Sequence, residues 1–252
     1  MTEFILIRHG ETDWNRQLRF QGQLDVPLNT IGVEQARRLG ERLTHEFADH
    51  LIVSDLLRTQ QTAAPISLFR PAQTALVAQL NAGLREQGFG KLEGMSVPEI
   101  QASLPEVWAR WIEFDADYTV EGGETARQFH ARVMQGMSTL AQTHPDKTLV
   151  VVTHGGVLDM IYRSAQAQIL SGPRVAEIPN GGINRVRGIE RNGSLNFDII
   201  DWADTRHLDD MAAQPVYDQA KLAKPQLVKI KLVTTKLAQA QPTSDMGSPS
   251  EA

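Results

Sequence analysis

The 252-residue chain contains no cysteine. That one absence removes disulfides, thiolate catalysis and thiolate-ligated zinc together, and it fits a reducing compartment. Long apolar runs are also missing: no segment approaches the roughly 18 apolar residues of a membrane span. The first apolar run stops at Arg8, and Met1-Thr2-Glu3 lacks the basic flank of a signal peptide, so a cytoplasmic protein without membrane contact is expected. A large excess of one charge is absent too. A net charge of −5 argues against a nucleic-acid-binding surface spread over the molecule, so no nucleic acid is expected as a partner. His45, His50, His130, His144 and His207 show no metal-ligand spacing and are expected at the surface or in caps. Neither metal nor cofactor is expected.

What is present is the composition of a soluble globular protein, long enough to bury a real core. Strand-like and helix-like segments alternate. Phe4–Arg8 reads as a buried strand, residues 29–47 as a helix capped by Asn29 or Thr30, and Leu51–Ser54 as a short strand. The segment Leu56–Phe69 reads as a helix that Pro65 breaks or kinks. Leu76–Leu80 fits a third strand, Thr125–His144 a long amphipathic helix, and Thr148–Thr153 a buried parallel strand followed by a helix opening at Gly155. Residues 183–189 and 195–200 fit a hairpin around Arg191-Asn192-Gly193-Ser194. This alternation predicts an α/β fold, a three-layer α/β/α sandwich with a mostly parallel central sheet. Residues 1–205 form one domain on this reading. Residues 206–252 form a partly disordered C-terminal extension, in which Val228, Ile230 and Leu232 alternate with lysines as a short edge strand would.

Three motifs concentrate chemistry. Phe4-Ile5-Leu6-Ile7 ends abruptly in Arg8-His9-Gly10-Glu11-Thr12. Side chains at the carboxyl end of such a strand project into the crevice where α/β proteins bind ligands. An imidazole beside a guanidinium there suits nucleophilic attack on an anionic group, above all a phosphoryl group. Ser54-Asp55-Leu56-Leu57-Arg58 follows the second strand, which puts Arg58 in the first turn of a helix where phosphate oxygens bind well. Thr153-His154-Gly155-Gly156 repeats the pattern at the end of the valine-rich strand, and the glycines let a phosphate approach the backbone. A departing alkoxide also needs an acid. Glu86 and Glu93, in Glu86-Gln87-Gly88-Phe89-Gly90-Lys91-Leu92-Glu93-Gly94, both compete for that role, and Lys91 has no clear one.

Taken together, the early Arg-His-Gly-Glu-Thr with Trp14-Asn15, the Ser54-to-Arg58 stretch and the distant His154-Gly155 resemble the histidine phosphatase superfamily, the phosphoglycerate-mutase-like proteins, over about Thr2 to Trp202. The resemblance implies a phosphoglycerate-mutase-like fold and catalysis by Arg8, His9, Arg58, Glu86 and His154. Glu86 is then the proton donor, and Asn15, Gln21, Gly22 and Gly155 join Arg8 and Arg58 around the phosphate. It further implies that a neutral His9 attacks phosphorus and becomes a phosphohistidine. Arg8, Arg58 and a protonated His154 hold the oxygens, and no metal takes part. The Glu121-Gly122-Gly123-Glu124-Thr125 stretch resembles a helix cap near the family's site.

The implied partner is a small phosphate ester. A mutase would need further cations over the site. The segment 87–125 carries two basic residues against eight acidic ones and should repel bisphosphates, which favours a phosphatase over a mutase. A non-catalytic phosphate-binding scaffold is the remaining alternative. Trp108 and Trp111 fit either stacking on a leaving group or core packing, and the assembly is open between monomer and homodimer.

Overall fold

The computed structural model describes residues 1–191 and 193–214. Lys221 to Lys236, with the edge strand expected among them, lie outside the described residues. Six strands form one sheet in the order β3-β2-β4-β1-β5-β6. They are β1 (Thr2–Arg8), β2 (His50–Val53), β3 (Ala78–Leu80), β4 (Thr148–Thr153), β5 (Ile183–Arg191) and β6 (Ser194–Asp204). The first four in that order run parallel, and β5 and β6 complete the sheet as an antiparallel hairpin.

Alternation along the strands sorts the core into two layers. Ile5, Ile7, Val150 and Val152 face one side, where Leu39 and Leu43 of α2 (Thr30–Leu43) and Ala63 and Ile66 of α3 (Leu57–Leu68) cover them. Phe4, Leu6, Leu149 and Val151 face the other. There Phe129, Val133 and Met137 of α6 (Ala126–Thr143) and Val157, Leu158 and Ile161 of α7 (Gly155–Ala165) complete the core. The result is the expected three-layer sandwich. Short helices α1 (Asp13–Arg16), α4 (Val97–Ser103) and α5 (Pro105–Trp111) lie in the connections.

Several boundaries differ from the sequence expectation. Pro65 does not end α3, which continues to Leu68 and closes with the Phe69 amide on the Pro65 carbonyl. The ring costs one helix bond but lies against α2, where a Cβ on Gly40 would meet it at 2.8 Å. Helix α2 stops at Leu43, and Phe47, which continued its apolar period, is exposed. The third strand is shorter than the expected run and the hairpin strands are longer. Beyond β6, Leu208 is buried and packs beside Gly181, and the Gln214 side chain bonds to both the amide and the carbonyl of Asn180.

Candidate active site

Sheet register brings the motifs together. Arg8 stands opposite Thr153 in the parallel pair of β1 and β4, so His9 and His154 leave the sheet side by side. Their ring centres are 5.3 Å apart. The His9 amide still donates to the Thr153 carbonyl at 2.9 Å, which carries the ladder one residue past the strand. Because β2 ends with Val53 opposite Val152, Ser54 arrives at the same level, and its hydroxyl lies 2.8 Å from His154 Nε2. Arg58 follows as the second residue of α3 and His154 caps α7.

His9 is only 3% exposed, and its Nδ1 lies 2.7 Å from the Gly10 carbonyl oxygen. A carbonyl only accepts, so Nδ1 carries the proton and Nε2 keeps its lone pair. Burial, then the charges of Arg58 and Arg8, push this histidine well below its ordinary pKa of 6.5. It is therefore neutral near pH 7, as a nucleophile must be. Arg58 is wholly buried and donates to the Gly22 and Leu24 carbonyls at 2.8 and 2.9 Å. Gly22 has φ +50°, and a Cβ there would lie 2.0 Å from a Glu93 oxygen, so only glycine presents its carbonyl this way. Arg8 Nη1 donates to the Ile178 carbonyl at 2.6 Å.

Burial pushes both guanidiniums down to about 10, yet both stay charged at neutral pH. Among the described residues, Arg8 Nε, Arg58 Nε and His154 Nδ1 are buried without a hydrogen-bond partner. Three such nitrogens on neighbouring side chains are suited to an oxygen-rich anion. His154 shares this buried, cationic environment. Burial, followed by the charges of Arg58, His9 and Arg8, pushes it well below 6.5, so in the free site the ring is neutral rather than an imidazolium.

The two rival carboxylates have different surroundings. Thr153 Oγ1 donates to the Leu84 carbonyl at 2.8 Å, which ties that segment to the end of β4. Two residues on, Glu86 accepts from the Gly156 amide at 3.0 Å and from the Gln87 amide at 2.9 Å. A Cβ on Gly156 would lie 2.1 Å from Glu86 Oε1, so the second glycine of the motif makes room for this carboxylate. Glu93 instead accepts from the amides of Gln23 and Phe89 at 3.1 and 2.9 Å and splints two loops. Glu86 is thus the one set against α7.

Of the other expected residues, Asn15 completes a capping box with Thr12, and its side-chain oxygen lies 3.5 Å from Asn180 Nδ2. Gln21 is buried with Oε1 lacking a partner, and Gly155 opens α7 beside Arg8. Four contributors went unrecognised in the sequence. Ser54 holds His154, and Asn180 donates to the His9 carbonyl at 2.9 Å. Arg132 on α6 donates to the carbonyls of Gly83, Arg85 and Glu86, each at 3.0 Å, and pairs with Glu124. Arg174 lies near Arg8. Only Ser54, placed at a strand end, carried a signal that could have found it.

The lid segment packs on the loop that holds Gln21 and Gly22. Phe20 takes a backbone bond from its amide to Met95, and its ring meets Phe89 and Trp111 edge-on at 5.1 and 5.5 Å. Trp108 is buried core, as one of its two expected roles had it. Thr125 caps α6 in a capping box with Gln128, while Glu124 accepts from the Gly88 amide. In residues 87–125, Glu99, Glu106, Glu113, Asp115, Asp117 and Glu121 are exposed, whereas Glu93 and Glu124 are partly buried. Of the two cations in this segment, Lys91 is exposed and Arg110 pairs with Glu113. His130 and His207 are less exposed than expected. His130 Nε2 meets Ser164 Oγ at 2.8 Å, and His207 is half-buried. Among the described residues, no group of three or more His, Asp or Glu could hold a metal ion.

The model of the histidine phosphatase superfamily (branch 1) matches residues 4–197. A phosphoglycerate mutase-like protein 4 of Arabidopsis thaliana is 32% identical over 210 residues, covering 82% of this chain and 87% of that protein. A metal-independent phosphoserine phosphatase of the same plant is 32% identical over 216 residues, covering 84% and 85%. Among solved structures, a mycobacterial glucosyl-3-phosphoglycerate phosphatase complexed with VO3 superposes with a TM-score of 0.70 at 27% identity, covering 81% of this chain and 99% of that one.

Proposed function

The chain belongs to the histidine phosphatase superfamily and is a phosphoric monoester hydrolase, and from that premise we propose that it works through a phosphohistidine on His9. The observation that carries this reading is the fixed tautomer of His9. Its Nδ1–H is committed to the Gly10 carbonyl, which leaves Nε2 as a neutral nucleophile among three cation-capable groups. In the first step Nε2 bonds to phosphorus and the phosphorus–oxygen bond to the alcohol breaks. Glu86 delivers the proton that the departing oxygen takes up. Arg8 and Arg58 hold the equatorial oxygens, and the arriving dianion favours protonation of His154, which then adds a third charge. In the second step the water oxygen bonds to phosphorus, the bond from phosphorus to His9 Nε2 breaks, Glu86 accepts the water's proton, and inorganic phosphate leaves.

The substrate on this reading is a small phosphorylated metabolite. A mutase would need a second cationic site to retain a bisphosphate, and residues 87–125 offer only an exposed Lys91 and an Arg110 paired with Glu113, against eight acidic residues. The proposal includes a cytoplasmic location and no nucleic-acid or membrane partner. The net charge of −5 supports the former exclusion, and no helix among the described residues is long and apolar enough to cross a membrane.

Turnover of a panel of phosphate monoesters, 3-phosphoglycerate among them, by wild type and His9→Ala tests the reading. Phosphate release should fall by roughly 10^4- to 10^6-fold in the variant, as when other covalent nucleophiles are removed. Conversion of 3- to 2-phosphoglycerate without phosphate release would replace the hydrolase reading with a mutase.

A further inference from the structure

The peptide bond after His9 is held at both ends. Its N–H, on Gly10, donates to Thr62 Oγ1 at 3.0 Å, and its carbonyl, on His9, accepts from Asn180 Nδ2 at 2.9 Å. The next carbonyl, on Gly10, is the one that His9 Nδ1 meets at 2.7 Å. Only the φ and ψ of Gly10 separate that carbonyl from the first peptide plane. Glycine is permissive about both angles, so the direction has to come from bonds that fix the plane.

Asn180 sits in the loop that leads into β5, and this loop grips Arg8 as well. The Gly181 amide donates to the Arg8 carbonyl at 3.0 Å, and the Gly182 carbonyl accepts from the Arg8 amide at 3.4 Å. What holds Asn180 comes from beyond β6, 34 residues away in sequence. Gln214 Oε1 accepts from the Asn180 amide at 2.7 Å, and Gln214 Nε2 donates to the Asn180 carbonyl at 2.8 Å. Asn180 is buried, where an unpaired amide or carbonyl is costly. A carboxamide carries both the acceptor and the donor that this pair of groups needs. Leu208 supports the same loop, 3.3 Å from the place a Cβ on Gly181 would take. The sequence alone puts Gln214 in the C-terminal extension, with no hint of a tie to His9.

We propose that Gln214 is a positioning residue for the reaction: through Asn180 it keeps the Gly10 carbonyl on His9 Nδ1 and so keeps Nε2 free for phosphorus. This inference rests on the reading of His9 as the nucleophile. Gln214 touches neither substrate nor the reacting atoms. It acts by fixing Asn180, whose side chain fixes the His9–Gly10 peptide, which in turn aims the carbonyl that selects the tautomer.

Proton–nitrogen NMR of the full chain labelled with 15N-histidine reads the tautomer directly. The His9 signals are assigned by their absence from His9→Ala. In the wild type near neutral pH, Nδ1 should carry the proton and Nε2 none. In Gln214→Met, which removes both bonds, the two nitrogens should share the proton. In the same variant kcat/KM should fall by roughly 3- to 30-fold, as for a slight misplacement of a reacting group. The loss should be equal on alkyl phosphates and on p-nitrophenyl phosphate, because the nucleophile attacks both. Gln214→Glu keeps the length and the acceptor but lacks the donor, so it should show a smaller change of the same kind. It is also the second variant if Gln214→Met fails a thermal melt. A wild-type His9 with its proton on Nε2, or a tautomer unchanged in both variants, would overturn the proposal. So would a shifted tautomer with undiminished kcat/KM, or failure of both variants to fold, which would leave Gln214 a role in folding alone. Hydrolysis that survives His9→Ala would sink the phosphohistidine reading instead, and the NMR arm would still decide whether Gln214 sets the tautomer.

Discussion

The floor of the pocket and its lid-side wall are fixed by different kinds of bond. On the floor, Arg8, His9, Ser54 and His154 stand at the ends of three adjacent parallel strands, and main-chain pairing fixes their mutual positions. On the wall, Glu86 is held by side chains that reach across to main-chain atoms. Arg132 gathers three carbonyls, Glu93 takes two amides, and Glu124 ties Gly88 to Arg132. A sheet ladder is cooperative and stiff, whereas a clamp depends on a few long side chains. On the proposed mechanism the nucleophile and its cations sit on the rigid part, and the proton donor sits on the part that single substitutions can loosen.

Five substitutions or changes of condition would break or sharpen that contrast. Glu86→Gln should lower kcat on alkyl phosphates by roughly 10^2- to 10^4-fold, the range of general acid–base contributions. Its effect on p-nitrophenyl phosphate should be much smaller, because a nitrophenolate departs without a proton. Equal losses on both substrates in steady-state assays would remove Glu86 from proton transfer. Trp108→Ala empties a buried site in the lid and should cost about 3–5 kcal/mol in urea unfolding, a typical figure for a core tryptophan. Trp111→Ala, at a half-buried position beside Phe20 and Phe89, should cost less and act more on KM.

Arg132→Met leaves every group on the floor intact yet frees the Glu86 segment. It should lower kcat by roughly 10- to 100-fold through misplacement of the acid, again sparing p-nitrophenyl phosphate. A uniform loss on all esters would mean that floor and wall are mechanically one unit. The smallest effect is one of pH. His9 and His154 are held well below 6.5, so on acidification through 6.5 the unfolded chain takes up protons that the folded chain refuses. Their contribution to stability is complete above that pH. It declines below it by up to about 1.4 kcal/mol per pH unit for each histidine. Thermal midpoints should fall between pH 7.5 and 5.5, and His9→Ala should flatten the slope.

The contrast also marks what could be read in advance. Arg8, His9, Arg58 and His154 were legible because each follows an apolar strand within a few residues, and the end of a buried strand needs only local periodicity to find it. The parallel core was legible for the same reason. Glu86 and Glu93 could not be separated by residue pattern alone, since both are glutamates in one glycine-rich loop. The family resemblance chose Glu86, and contacts with Gly156, Gln23 and Phe89 give the two glutamates different surroundings. Pro65 was misjudged because its helix-breaking tendency is local, while the packing of α3 on α2 that overrides it is not.

By itself the sequence determined the alternation of elements, the face of each strand that is buried, and the placing of Arg8, His9 and His154 at strand ends, because all of these are set by spacings of a few residues. The tertiary structure alone decided the burial that favours a neutral His154, the contact of Glu86 with α7, the clamp by Arg132 and the return of Arg174 to the N-terminus of α7. Each of those depends on burial or on groups brought together by chain closure, and neither can be read from local spacing.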